Sequence, residues 1–212
     1  MQLKRSLRDL SCAMVELKVP RGAIKNLTRL HALQKVKASL ETLSEVASLT
    51  DLRTFAVDSV TSEHSLSLCS ALQSMSNLVS LSITTSNENE LLPLEELCLP
   101  ENLYKLVLGG QLEKTRMPRI LESWKHLNNL NILCLLLYKL DENSFPSLKV
   151  LDNLCFLELA KAYDGYTLCF PAQSFPKVRE LWIWLAPHLN QVEIEEDALE
   201  ALISYGFYNA QN

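Results

Sequence analysis

The chain repeats one short apolar spacing along nearly its whole length, and that repetition constrains the fold more than any other feature. In residues 103–108 the apolar positions are Leu103, Leu106 and Leu108, at offsets 0, 3 and 5. The same offsets occur at Leu33/Val36/Ala38, Leu52/Phe55/Val57, Leu78/Leu81/Ile83, Leu130/Leu133/Leu135, Leu154/Leu157/Leu159 and Val178/Leu181/Ile183, with a weaker copy at Leu202/Tyr205/Phe207. Counted between first positions, the steps are 19, 26, 25, 27, 24, 24 and 24 residues. A unit this short cannot bury its own leucines, so neighbouring units must stack to close a common core.

The predicted fold class is therefore α/β, a leucine-rich repeat solenoid. Each unit supplies one strand to a curved parallel sheet on the concave side and returns along the convex side by a short helix or loop. Strands are predicted over 33–38, 52–58, 78–84, 103–108, 130–135, 154–159, 178–183 and 202–207, and convex helices over 40–49, 65–75 and 117–127. Eight strands at the usual spacing of ~4.8 Å make a sheet roughly 34 Å along its arc. The triplet Ser144-Phe145-Pro146 returns as Ser174-Phe175-Pro176, which predicts corresponding positions in two repeats with an extended convex side. Residues 193–197 read as an acidic turn. Residues 1–22 form a lead or partial repeat, with helix-like spacing of Leu3, Leu7, Leu10 and Met14. The array of about eight irregular repeats fills 23–212 and reads as truncated at its C-terminal end, without a polar cap.

Composition narrows the function classes. Five glycines in 212 residues leave no phosphate-cradling framework, and neither G-x-x-x-x-G-K-[ST] nor G-x-G-x-x-G occurs. His31, His64, His126 and His188 are scattered, and none stands in a nucleophile–base pattern. The six cysteines include no C-x-x-C pair, so free thiols are expected rather than a disulfide framework or a zinc site. No catalytic residue, cofactor or metal is expected. The apolar stretch around 127–138 is too short to span a bilayer, and the absence of a secretory leader points to a cytoplasmic location.

Charge is unevenly distributed. Residues 1–37 carry a net +7 and the remainder a net −12, giving −5 in all. The basic N-terminal face, including Arg29, Lys35 and Lys37, suits an acidic protein surface. It lacks interleaved aromatics, so nucleic acid is not the expected partner. Strand side chains alternate, so the residues between the repeated apolar positions face outward on the concave side. Reading down the array, that face is small and polar in the first repeats. It turns apolar and aromatic later, at Ile132, Cys134, Leu136, Phe156, Trp182, Trp184 and Tyr208, with Glu158 and Glu180 among them. A patch of this kind binds a partner, or its residues pack against protein missing from this chain or against one another.

Val19-Pro-Arg-Gly-Ala-Ile-Lys-Asn-Leu27, Leu33-Gln-Lys-Val-Lys-Ala-Ser39 and Leu49-Thr-Asp-Leu-Arg-Thr-Phe55 resemble the leucine-rich repeat region of plant coiled-coil nucleotide-binding disease-resistance receptors. Met75-Ser-Asn-Leu-Val-Ser-Leu81 and Ser174-Phe-Pro-Lys-Val-Arg-Glu-Leu181 are similar to that family's irregular cytoplasmic repeats. The resemblance covers roughly residues 19–205. It implies a role in defence, with a protein partner that is a pathogen effector, a host protein guarded by the receptor, or a nucleotide-binding module of the same receptor. That family's coiled-coil and nucleotide-binding domains are not in this sequence. The alternative readings are a substrate-recruiting repeat domain of a ubiquitin ligase and a general repeat scaffold.

Overall fold

The computed structural model describes residues 9–11, 22, 24–92, 98–111 and 114–208. Nine parallel strands form one sheet: β1 (Asp9–Ser11), β2 (Ala32–Lys37), β3 (Thr54–Asp58), β4 (Ser80–Thr84), β5 (Lys105–Gly109), β6 (Ile132–Leu136), β7 (Phe156–Ala160), β9 (Glu180–Trp184) and β11 (Ser204–Tyr208). Each is hydrogen-bonded to the next, and among the described residues two further strands, β8 (Thr167–Phe170) and β10 (Gln191–Ile194), pair in parallel as a separate two-stranded sheet. The predicted α/β repeat solenoid is the observed architecture.

The strands start two residues later than the apolar triplets suggest. Leu52, Leu78, Leu103, Leu130, Leu154 and Val178 are buried in the turn that precedes each strand, and the second and third apolar residues supply its inward face. In the register, Phe55, Leu81, Leu106, Leu133, Leu157 and Leu181 form one buried row, and Val57, Ile83, Leu108, Leu135, Leu159 and Ile183 the next. The first repeat departs from the expected frame. Leu33 aligns with Phe55 and Val36 with Val57, with a bulge between them. Leu30, fully buried, occupies the first position, and Lys35 at φ 56° takes up the extra residue. The repeat thus begins 22 residues before Leu52, not 19.

The return segments start helical and become extended. The helices α1 (Leu40–Val46), α2 (Ser65–Ser74) and α3 (Met117–Ser123) follow the sheet strands of the earlier repeats. Ser39 caps α1 by accepting from the Thr42 N–H at 3.1 Å, and one further turn, Trp124–His126, follows α3 as a 3-10 helix. The two Ser-Phe-Pro copies do meet, with the Phe145 and Phe175 rings 5.8 Å apart. The expectation of an extended chain at both is corrected: Phe145–Val150 is a 3-10 helix, entered through Pro146 near its start, where no N–H partner is needed. The extended return strands are β8 and β10, so the proposed acidic turn at 193–197 is strand at Glu193 and Ile194 and turn only at Glu196 and Asp197. Phe145, Phe170 and Phe175 pack with Tyr163 as a buried aromatic knot, with centroids 5.2–6.0 Å apart and mostly edge to face.

At the N-terminal end, Leu10 lies in a strand register against Leu33, where the sequence spacing suggested a helix. The basic residues at 4, 5, 8, 18 and 21 and Met14 lie outside the described residues. Among the described residues, no helix is long and apolar enough to cross a membrane.

Candidate functional site: an aromatic shelf on the concave face

The outward residues of the sheet form three rows. The middle row runs Ala56, Ser82, Val107, Cys134, Glu158, Trp182, Gly206, each opposite the next in the register. One flanking row runs Thr84, Gly109, Leu136, Ala160, Trp184, Tyr208, and the other Thr54, Ser80, Lys105, Ile132, Phe156, Glu180, Ser204. The parallel register brings Ile132, Leu136, Phe156, Glu158, Glu180, Trp182, Trp184 and Tyr208 onto one continuous surface. Arg29 is not part of it, lying exposed in the turn before Leu30. Lys35 and Lys37 are exposed at the far end of the array, and the β2 bulge sets Lys37 opposite Asp58 instead of Ala56.

The apolar part of the surface is narrower than the sequence implies. Cys134 is buried between its neighbours at 7% exposure, and Ile132, Leu136 and Phe156 are half-buried. Burial comes first, then the Glu158 charge and the S–H donation to Glu158; together they push the Cys134 thiol up to about 12, against a smaller opposing pull from Lys105. A thiol held there stays protonated at neutral pH and is a poor nucleophile.

The aromatic residues form an ordered stack. Trp184 and Tyr208, on adjacent strands, stack with centroids 4.2 Å apart and planes 13° apart. Trp182 joins them at 6.0 Å and 19° from Trp184 and at 6.1 Å and 18° from Tyr208. Gly206 makes this possible: a Cβ there would fall 2.5 Å from both Trp182 Cζ3 and Tyr208 Cε2. The rings close over the glycine, which is buried beneath them. Sequence reading places Gly206 among outward residues but gives no sign of this role, because the two rings that meet over it are 26 residues apart in the chain. The Trp182 Nε1–H donates to a Glu180 carboxylate oxygen at 3.4 Å, and the Trp184 Nε1–H is shielded and has no partner among the described residues.

Other polar groups serve the framework. The Glu142 carboxylate accepts from the Tyr166 N–H at 2.6 Å and the Thr167 N–H at 3.2 Å, and Glu195 accepts from the Ala172 N–H at 2.8 Å, so each ties one repeat to the next. Those bonds, with one from its own backbone N–H first among them, lower the Glu142 pKa. His64 helps cap the turn at Ser62–His64, and His126 sits between the carbonyl oxygens of Ser123 and Leu99 at 2.7 and 2.9 Å. Among the described residues no group of His, Cys, Asp and Glu is arranged to hold a metal ion. A groove of about 520 Å³ lined by Trp124, Lys149, Asn153 and Ser174 lies along the turns, off the outer face of the sheet.

The sequence matches the family described as "Leucine-rich repeat region" over residues 4–210. It is 33% identical over 177 residues to Disease resistance protein RPM1 of Arabidopsis thaliana, an alignment covering 83% of this chain and 18% of that protein. The chain therefore spans only a small part of that relative's length, and the expected resemblance to plant disease-resistance proteins is borne out. Among solved structures, internalin C2 of Listeria monocytogenes superposes with a TM-score of 0.52 at 17% identity, covering 87% of this chain and 74% of that one. TLR13 in its complex with ssRNA13 gives a TM-score of 0.52 at 16% identity, covering 97% and 36%. Both speak to the fold alone. A stacked parallel sheet, the recurring buried leucines and a family match along nearly the whole sequence lead to one assignment: the chain belongs to the leucine-rich repeat family.

Proposed function

We propose that this chain is the protein-recognition module of an intracellular plant immune receptor, and that it reads its partner with the concave face around Trp182, Trp184 and Tyr208. The observation that carries the reading is the aromatic stack itself. Three large rings are held nearly parallel on the outer face of a sheet, Tyr208 at 49% exposure, in a place the core does not require them. Rigid aromatic side chains of this kind are the commonest anchors in protein interfaces. The similarity to a disease-resistance protein supports the setting of defence, and the cytoplasmic location belongs to the same proposal. The partner is a pathogen effector, a host protein under guard or a nucleotide-binding module.

The test is a pull-down from plant extract with the wild-type chain and a Trp182→Ala/Trp184→Ala variant, with circular dichroism on both. Loss of a specific partner by a folded variant is the expected result. An unchanged set of partners would remove the concave aromatic face from recognition and turn attention to the basic residues around Arg29, Lys35 and Lys37.

A further inference from the structure

We propose that the aromatic shelf takes a basic segment of a protein partner, seating an arginine guanidinium against the Trp182 indole between the carboxylates of Glu158 and Glu180. The inference rests on the concave face being the recognition surface and adds the chemistry of what is recognised. Two carboxylates flank the same ring. Glu158 lies opposite Trp182 on the neighbouring strand, one strand spacing away, and Glu180 receives the indole N–H from the same strand. Among the described residues neither glutamate is in an ion pair; Lys125 pairs with Glu122, Lys161 with Glu88 at 2.8 Å, and His188 lies 3.7 Å from Asp164.

The C-terminal stretch of the chain carries the same sign overall. From Asp141 to Tyr208 the chain has 11 acidic and 4 basic residues, a net of −7. Such a field draws in cations and repels phosphate, which sets this surface apart from an aromatic platform for single-stranded nucleic acid. The ring face attracts a cation through its quadrupole, and a planar guanidinium can stack on the indole while donating to a carboxylate on either side. A lysine ammonium can satisfy the charge but not the stacking, so arginine is the favoured side chain. Gly206 keeps the rings fixed before binding, so little ordering cost falls on the shelf.

The test uses the full chain and a blocked glycine–arginine peptide with three arginines, followed by tryptophan fluorescence. Trp124 is 2% exposed and buried in the core, so a quenching signal reports Trp182 and Trp184. The matched controls are the same peptide with lysine, the same peptide with neutral citrulline, and an oligothymidylate. The expected result is saturable binding of the arginine peptide, weaker binding of the lysine peptide and at least tenfold weaker binding of the citrulline peptide. A Glu158→Gln/Glu180→Gln variant, with its near-ultraviolet circular dichroism unchanged, loses at least tenfold for the arginine peptide. Equal binding of arginine and citrulline peptides, undiminished binding by the charge variant, or preference for the oligothymidylate would each overturn the proposal. The two readings fail separately. If the Trp182→Ala/Trp184→Ala variant loses its partner while the charge variant keeps it, the face recognises protein by some other chemistry. If the tryptophan variant keeps its partner, the face itself falls.

Discussion

Gly206 decides whether the shelf exists. Any side chain there must push Trp182 and Tyr208 apart, because the first added carbon already comes within 2.5 Å of an atom of each ring. Gly206→Ala is expected to break the stack while leaving the solenoid folded, since Trp182 and Tyr208 face outward and the buried rows lie on the other side of the sheet. The coupled near-ultraviolet circular dichroism of the three rings should collapse, with a stability loss of about 1–3 kcal/mol of the size seen when a packed site is overfilled. Unchanged near-ultraviolet bands would show that the rings are not held by this contact. The same residue shows where sequence reading stops. Trp182, Trp184 and Tyr208 can be placed on the outer face from the repeat alone, since strand side chains alternate. Their mutual stacking depends on the cross-strand register and on a missing side chain, and no local pattern in the sequence encodes either.

The start of return strand β8 is tied to one exposed carboxylate. Glu142 holds the N–H groups of Tyr166 and Thr167 just as that strand begins, and its own backbone N–H first, then these two, lower its pKa below the ordinary 4.5. With the folded value depressed, its contribution is fully present above the ordinary carboxylate value and is lost as pH falls through the lowered one. Glu142→Gln is therefore expected to melt lower than wild type at neutral pH, with the gap closing as the solution is acidified. Thermal melts of both proteins at stepped pH would check this, and a gap independent of pH would assign the effect to shape instead of charge. Elements of this kind were only partly legible. Helices α1 and α2 follow directly from apolar spacing on segments of good length. The frame of the first repeat did not, because Leu27, Leu30 and Leu33 offer three equivalent starting points and the bulge at Lys35 hides the true one. The second Ser-Phe-Pro copy has no helix where the first has a 3-10 turn; what the copies share is the place of their rings in the aromatic knot.

Along the whole molecule one hydrogen-bond motif joins repeat to repeat. The carbonyl oxygens of His31, Arg53, Val79, Tyr104, Asn131, Cys155 and Arg179 each accept two consecutive N–H groups from the following repeat, at 2.8–3.2 Å. Stability in such an array is close to a sum of repeat and interface contributions, so position along it matters. A central repeat such as that of β6 has a neighbour on both sides, and Leu133 within it is fully buried. Strand β11 pairs only with β9 among the described residues. Its Tyr205 and Phe207, which align with buried Leu181 and Ile183, are 64% and 42% exposed instead of joining the core as the repeat pattern suggested. Native-state hydrogen exchange should therefore show a gradient, with the amides of β11 opening locally and fast and those of β5–β7 exchanging only on larger unfolding. Leu133→Ala is the sharper test. Removing a fully buried leucine typically costs 2–5 kcal/mol, roughly, once the cavity is counted. That loss should lower protection across β5, β6 and β7, because their slow amides report the breaking of shared interfaces. It should leave β11 unchanged, because its amides exchange by an opening that never involves Leu133. A uniform drop that includes β11 would mean that the array opens only as a whole, and the additive picture would fail for this chain.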